Sequence, residues 1–140
     1  MGLGGAGHRT APHTADLRIE AWAPTREQCI AEAVRGTVET FVDISSTRAE
    51  TARLCHLTAT ADEDLLVAAL DEMVYLMDTA GEIPVEVEVE PTPAGADVRF
   101  GMVGVDRLPQ VGAVPKAVSL HELRLARDPD GWSCSVTLDV

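Results

Sequence analysis

Residues 132–140 read WSCSVTLDV, and apolar side chains alternate with polar ones along most of this stretch. A period of two is the pattern of a β-strand that turns one face toward a core. The apolar members, which we predict to be core residues, are Trp132, Cys134, Val136 and Leu138. Asp139 falls on the opposite face, together with Ser135 and Thr137, so we expect that face to be polar.

The segments that precede this strand alternate in the same way. The turn Pro129-Asp-Gly131 joins it to KAVSLHELRLARD (residues 116–128), which predicts a hairpin. VEVEVE (residues 85–90) alternates without a break, and the turn PTPAGAD returns the chain as VRFGMVGV (residues 98–105). The second half of the chain is therefore predicted to contain four strands in two hairpins.

The first half mixes two strands with two helices. Residues 17–22 and 54–59 alternate as strands do, and apolar residues then recur every three to four positions after each of them. Thr25 is placed to cap a first helix that extends to about Val42, and Thr60 has the same capping-box spacing before a second. Gly81 is well placed to end that second helix.

The predicted order is strand, helix, strand, helix and then four strands. This order indicates an α+β fold in which two helices pack on one face of a mostly antiparallel sheet. The glycine-rich start predicts a flexible lead-in over residues 1–9, followed by a single domain over residues 10–140. A chain of 140 residues is long enough to bury one hydrophobic core.

Acidic residues outnumber basic ones by 23 to 11, which gives a formal net charge of −12. Such a field repels phosphate backbones and suits metal cations or a basic surface on a partner protein. Three widely spaced cysteines, Cys29, Cys55 and Cys134, match neither a disulfide framework nor a zinc motif. With no long apolar segment, we expect a cytoplasmic protein that does not enter a membrane.

Two short polar clusters are candidates for a functional site. Asp139 and Val140 together offer side-chain, backbone and terminal oxygens, and one further carboxylate would complete a site for a hard cation. The alternative is a solvated aspartate at the end of a strand. In PHTADLRIEAW, His13 and Asp16 precede the first predicted strand, where they are either loop hydrogen bonders or an acid–base pair.

Four segments resemble the archease family in the family's own order. HTADLRIEAW resembles the family's opening signature, and DEDLLVAALDEMVYLMDTAG resembles its second helix. PKAVSLHEL is similar to its Val-Lys-Ala-Val-Thr-Tyr-His-Gly-Leu stretch, and the chain ends in the similar LDV. The resemblance covers about residues 10 to 140 and implies a fold of two interleaved strand-helix-strand-strand modules.

The resemblance also implies a function. Archeases are activating cofactors of RtcB-type RNA ligases, which act in tRNA splicing and RNA repair through a guanylylated histidine of the ligase. This implies a protein that is not itself an enzyme and that meets RNA only indirectly, through its ligase partner. It further implies a divalent cation, taken to be calcium, held at Asp16, Asp139 and Val140.

The same resemblance marks three partner-contact candidates and some departures from the family's pattern. Lys116 matches the family lysine, while His13 and His121 are the other two candidates. Arg18 and Glu122 stand where the family often has glycine, and Ser119-Leu120 replaces a Thr-Tyr pair.

Two other functions remain open on the sequence alone. One is a small metal-dependent hydrolase that uses His13, Asp16 and Asp139. The other is a plain acidic scaffold that associates through the edge of the VEVEVE strand. Against a hydrolase, the sequence shows no phosphate-binding glycine loop and no second cluster of metal ligands.

Overall fold

The computed structural model describes residues 5–11 and 16–140, which form two α-helices and seven β-strands. In chain order these elements are β1 (Gly7–Ala11), β2 (Asp16–Ala23), α1 (Arg26–Glu39), β3 (Thr51–Thr58), α2 (Asp62–Ala80), β4 (Glu82–Thr92), β5 (Gly95–Gly104), β6 (Ala117–Asp128) and β7 (Gly131–Asp139). The 3-10 turn Val105–Arg107 follows β5.

The strands divide into two antiparallel sheets. One has four strands in the order β1-β2-β7-β6, and the other has three in the order β3-β5-β4. The predicted α+β class with antiparallel pairing is confirmed. The strand order alone did not show this division into two sheets. The chain passes from one sheet to the other between β2 and β3, through α1, and back between β5 and β6, through the 3-10 turn and the loop after it.

One hydrophobic core lies between the sheets and includes both helices. Helix α1 packs on β1, β2 and β7 and also on β4, while α2 packs on β6 and on the three-stranded sheet. Phe41 and Phe100 are the largest fully buried side chains of this core. Because each helix contacts both sheets, apolar burial joins the two sheets into one unit.

The predicted core face of β7 is confirmed, and the other face carries the polar residues Ser135, Thr137 and Asp139. Cys134, Val136 and Leu138 are buried and Trp132 is partly buried, as the alternation predicts. Although they are polar, Ser135 and Thr137 are buried, at 7% and 6% exposure. We call this second face of the four-stranded sheet, which carries Ser135, Thr137 and Asp139, the outer face. Its hydroxyl positions are covered because long side chains of β2 lie over them.

The helix ends follow the sequence signals in two of three cases. Thr25 caps α1 and its hydroxyl accepts the backbone N–H of Gln28, as predicted. Gly81 ends α2 in the left-handed conformation, also as predicted. The predicted cap at Thr60 is wrong: α2 begins after Ala61, which gives no side-chain cap. Three acidic residues in its first turn complement the helix dipole instead. Neither helix in the described part of the chain is long and apolar enough to cross a bilayer.

The predicted flexible lead-in over residues 1–9 is corrected at its C-terminal end. Residues 7–9 belong to β1, which pairs with β2. His8 attaches this edge strand to α1, since its ring nitrogens bond Glu32 and Glu39. A Cβ atom on Gly36 would lie 2.8 Å from the ring, so the glycine permits this close contact with the helix. His13 lies outside the described residues.

We predict that Gly81→Ala lowers the free energy of unfolding by about 1 kcal/mol. The φ of Gly81 is 65°, and nothing lies within 4 Å of an added Cβ, so the cost is backbone strain alone. Urea unfolding followed by circular dichroism measures it. Gly81→Asn is the matched control, because asparagine tolerates this conformation and is expected to lose less. Equal losses of unfolding free energy for both variants would contradict the attribution of the cost to backbone strain at position 81.

We also predict that the contribution of His8 to stability depends on pH. Burial of the ring opposes protonation, but the hydrogen bonds and charges of Glu32 and Glu39 outweigh burial and raise the pKa of His8 above 6.5. The contribution is therefore full below pH 6.5 and is lost as the pH rises through the raised pKa. Urea unfolding of wild type and His8→Gln from pH 5 to 9 measures the difference. When Glu32 and Glu39 are both changed to glutamine, the effect of His8→Gln should no longer depend strongly on pH. If His8→Gln in the otherwise wild-type protein lowers the free energy of unfolding equally from pH 5 to 9, the raised pKa of His8 is refuted.

Candidate metal site

Three strand ends meet at one corner of the four-stranded sheet. Asp16 is the first residue of β2, and it pairs directly with Asp139, the last residue of β7. Ala117, the first residue of β6, pairs with Asp139 from the other side. Antiparallel pairing therefore brings together residues that are more than a hundred positions apart in sequence. The predicted site residues Asp16 and Asp139 lie side by side.

The two aspartates face the same side of the sheet. Residues directly opposite in an antiparallel pair have Cβ atoms roughly 4.5–5.5 Å apart, with their side chains on one face. Asp139 is exposed and Asp16 is partly buried. Two carboxylates in this arrangement repel each other, and a cation bound between them would remove the repulsion.

Lys116 is tied to the same corner through its backbone. Its N–H donates a hydrogen bond of 2.8 Å to the carbonyl oxygen of Asp139. The side chain of Lys116 is exposed. A carbonyl oxygen has two lone pairs, so the Asp139 carbonyl retains one acceptor position after this bond. The backbone of Lys116 is thus part of the corner that carries the two carboxylates.

Val140 follows Asp139 directly and is partly buried. Among residues 5–11 and 16–140 there is no group of three or more His, Cys, Asp and Glu side chains placed to hold a metal. A cation at this corner would therefore rely on two side-chain carboxylates and on main-chain oxygens. Oxygen ligands of this kind suit calcium or magnesium rather than zinc. Oxygen donors of this kind are those that the cation implied by the family resemblance would need.

His121 is not brought to the aspartate corner. It lies within a bulge of β6, where the pairing of Ser119 with Thr137 is followed next by that of Arg124 with Ser135. The ring is exposed, and Nε2 lies 3.3 Å from an oxygen of Glu122. The backbone of Lys116 is thus bonded to Asp139, whereas His121 lies in the bulge of β6.

The two departures from glycine contact each other. Arg18 Nη1 donates a hydrogen bond of 3.0 Å to Glu122 Oε2 across the outer face. Glu122 has a φ of 58°, a conformation that glycine adopts without strain, which accounts for the common glycine at this position. Sequence reasoning treated the two departures separately, because the bulge that brings them together leaves no mark in the alternation.

Profile and sequence comparisons agree on one family. The profile of the Archease protein family (MTH1598/TM1083) matches residues 8–140. A Mycobacterium tuberculosis protein named "Probable protein archease" is 58% identical over 135 residues, which cover 96% of this chain and 75% of that protein. "Protein archease" of Archaeoglobus fulgidus is 28% identical, with 95% of this chain and 98% of that protein covered.

Solved structures show the same fold. The solution structure of Methanobacterium thermoautotrophicum protein 1598 superposes with a TM-score of 0.75 at 21% identity, over 96% of this chain and 99% of that one. A Thermotoga maritima crystal structure, described as an archease and possible chaperone, has a TM-score of 0.66 at 19% identity. That match covers 94% of this chain and 96% of the other.

We predict that Asp139→Asn changes stability in opposite directions with and without calcium. In a chelator, the variant should be slightly more stable than wild type, by at most about 1 kcal/mol, because the facing charges no longer repel. With calcium, wild type should gain a higher Tm and Asp139→Asn should not, since bound ligand stabilises the folded state. Thermal unfolding in both buffers measures this. Asp130→Asn, in the turn at the far end of β7, is the charge-matched control and should keep the calcium response. If calcium raised the Tm of Asp139→Asn and Asp130→Asn equally, the aspartate corner would be ruled out as the calcium site.

Proposed function

Because the chain belongs to the archease family, we propose that it activates an RtcB-type RNA ligase by promoting guanylylation of the ligase histidine. Activation of this kind lets the ligase turn over repeatedly in tRNA splicing or RNA repair. The protein would act on its partner and would not itself be an enzyme.

The observation that carries this proposal is the convergence of the family-motif residues at one corner. Asp16, Lys116 and Asp139 come from three segments of the chain, and strand pairing unites them. These side chains do not serve the core, since Lys116 and Asp139 are exposed. Polar residues gathered on a surface by a rigid sheet are typical of a recognition site.

The charge of the protein supports a protein partner. A net charge of −12 favours docking on a basic surface, such as the face of an RNA-binding ligase, and speeds the encounter. The same net charge disfavours binding to free RNA, because a strongly acidic protein is repelled by the phosphate backbone. RNA is therefore expected to be met only through the ligase.

We propose that Asp16, Asp139 and Val140 hold a divalent cation, with calcium the first candidate. When bound, such a cation would neutralise the two facing carboxylates. It would also link the ends of β2 and β7, and so fix the position of Lys116 through its bond to Asp139. A rigid corner is a better docking surface than two repelling side chains.

The hydrolase alternative uses part of the same corner. It needs His13, which lies outside the described residues, together with Asp16 and Asp139. Purified protein assayed alone on phosphodiester and phosphomonoester substrates separates the two functions, since an activator is inert and a hydrolase turns over. A general chaperone, as the Thermotoga protein is described, would instead protect unrelated proteins from aggregation.

We predict that Asp16→Asn and Asp139→Asn abolish the stimulation of RNA ligation while the variants remain folded. A reconstituted assay would contain the cognate ligase in limiting amount, GTP and RNA halves, and would measure ligated product and guanylylated ligase over several turnovers. Each variant should give close to the product of ligase alone, because the docking corner is lost.

Asp130→Asn provides the control for charge, and circular dichroism provides the control for folding. Asp130 is exposed in the β6–β7 turn, at the opposite end of the hairpin from Asp139, and this variant should stimulate as wild type does. Full stimulation by folded Asp16→Asn and Asp139→Asn proteins would overturn the assignment of the corner. Failure of the wild type to stimulate would overturn the function.

A further inference from the structure

A row of polar residues crosses all four strands of the outer face. Arg9 on β1 pairs with Glu20 on β2, Glu20 pairs with Ser135 on β7, and Ser135 pairs with Arg124 on β6. Arg9 and Arg124 stand at the two ends of this row. Adjacent strands lie about 4.8 Å apart, so the long side chain of each arginine can reach over the neighbouring strand. The pairing register places Arg9 and Arg124 on one face, and each bonds a residue of the neighbouring inner strand, Glu20 and Ser133 respectively.

Serine hydroxyls orient two guanidinium groups on this face. Arg18 Nε donates a hydrogen bond of 3.0 Å to Ser135 Oγ, and Arg124 Nη1 donates one of 3.0 Å to Ser133 Oγ. Ser135 is only 7% exposed, so its hydroxyl is a fixed acceptor. A hydroxyl positions a guanidinium group without neutralising its charge, which leaves that charge available to an anion.

In the middle of the outer face, carboxylates are fewer than arginines. Arg9 pairs with Glu20, and Arg18 pairs with Glu122 at 3.0 Å and reaches Glu20 only at 4.0 Å. Arg124 has no carboxylate within 4.0 Å in the part of the chain that the structure describes. Three guanidinium groups and one carboxylate, that of Glu20, line the middle of this face, while Glu122, Asp16 and Asp139 lie outside that lining. The excess of positive charge is confined to the lining and is opposite in sign to the net charge of the protein, which is −12.

A depression of ≈ 270 Å³ lies between these side chains. Its lining side chains include Arg9, Arg18, Glu20, Trp22, Arg124, Ser133 and Ser135. The partly buried indole of Trp22 forms one wall, where it lies against Gly7 of β1. The volume is below the range of pockets that enclose drug-sized ligands, so it suits a small anion.

We propose that this depression binds the phosphate groups of a small molecule, through the guanidinium groups of Arg124, Arg18 and Arg9. Arginine is the side chain best matched to phosphate, because its fork of N–H donors bonds two oxygens at once. The acidic remainder of the protein excludes long polyanions, so the ligand is a small phosphate compound rather than RNA. This inference goes beyond ligase activation and does not depend on it.

Calorimetric titration with inorganic pyrophosphate in buffer free of divalent cations tests the site. Wild type should bind, and Arg124→Gln should bind about tenfold more weakly or worse, because a charge-assisted hydrogen bond is lost. Arg127→Gln is the matched control: it makes the same charge change on the same strand but on the opposite face, and it should bind as wild type does. No binding by wild type, or equal weakening in both variants, would overturn the proposal.

Glu20→Gln gives a result of the opposite sign on the same face. Loss of this carboxylate removes the competitor that occupies Arg9, so pyrophosphate should bind more tightly than to wild type. Glu90→Gln, on the three-stranded sheet, controls for the change in net charge. Unfolding curves confirm that each variant is folded. Equal affinities of the Glu20 and Glu90 variants would overturn the site, because only a general charge effect would remain.

Inorganic triphosphate and a nucleoside triphosphate, titrated in parallel, separate two sources of the phosphate. Equal affinity indicates that phosphate alone is recognised. Tighter binding of the nucleotide, abolished by Trp22→Leu, indicates that a base stacks on the indole. Binding of neither compound would count against the depression as a phosphate site.

Discussion

The structure depends on the double pairing of β7, which has β2 on one side and β6 on the other. This strand supplies buried side chains to the core from one face and polar side chains to the outer face. Its last residue, Asp139, is held from both directions, by Asp16 and by the backbone of Lys116. Because strand pairing has a period of two, the register that buries Leu138 also sets the direction of the Asp139 side chain. The pairing register of β7 therefore determines both the packing of the core and the geometry of the candidate metal site.

Local patterns predicted most of the elements that form this frame. Alternation identified β7 and its apolar face, and the cap at Thr25 and the left-handed Gly81 marked helix ends that the structure confirms. The missed element is β1. A strand of five residues beside glycines carries little alternation, and it is ordered by contacts with β2 and α1 that no local pattern contains. The predicted cap at Thr60 was wrong, because capping-box spacing alone does not show that the threonine side chain bonds the first turn of the helix.

The candidate site was predicted less completely, and for a different reason. The resemblance to a family pointed to Asp16, Lys116 and Asp139, but which of these residues meet is a property of strand pairing. Sequence distance hides such contacts: Arg18 and Glu122 bond across more than a hundred positions. The row of arginines and serines on the outer face was not predicted. Arg9 belongs to β1, which was missed, and the place of Arg124 depends on the pairing register after the bulge in β6. Strand parity marks Arg18 and Glu20 as outer residues, but it cannot show that Arg124 joins them.

The bulge in β6 has a consequence for how this protein can vary. An inserted or deleted residue within β7 would shift every later side chain to the other face, and would so damage core and corner together. In β6, the segment between Ser119 and Arg124 is looped out of the pairing, and paired register resumes on either side of it. A change of length there is absorbed locally, with Lys116 and Arg124 each left in place. Natural variants and engineered insertions should therefore accumulate in this segment of β6, while β7 keeps a constant length.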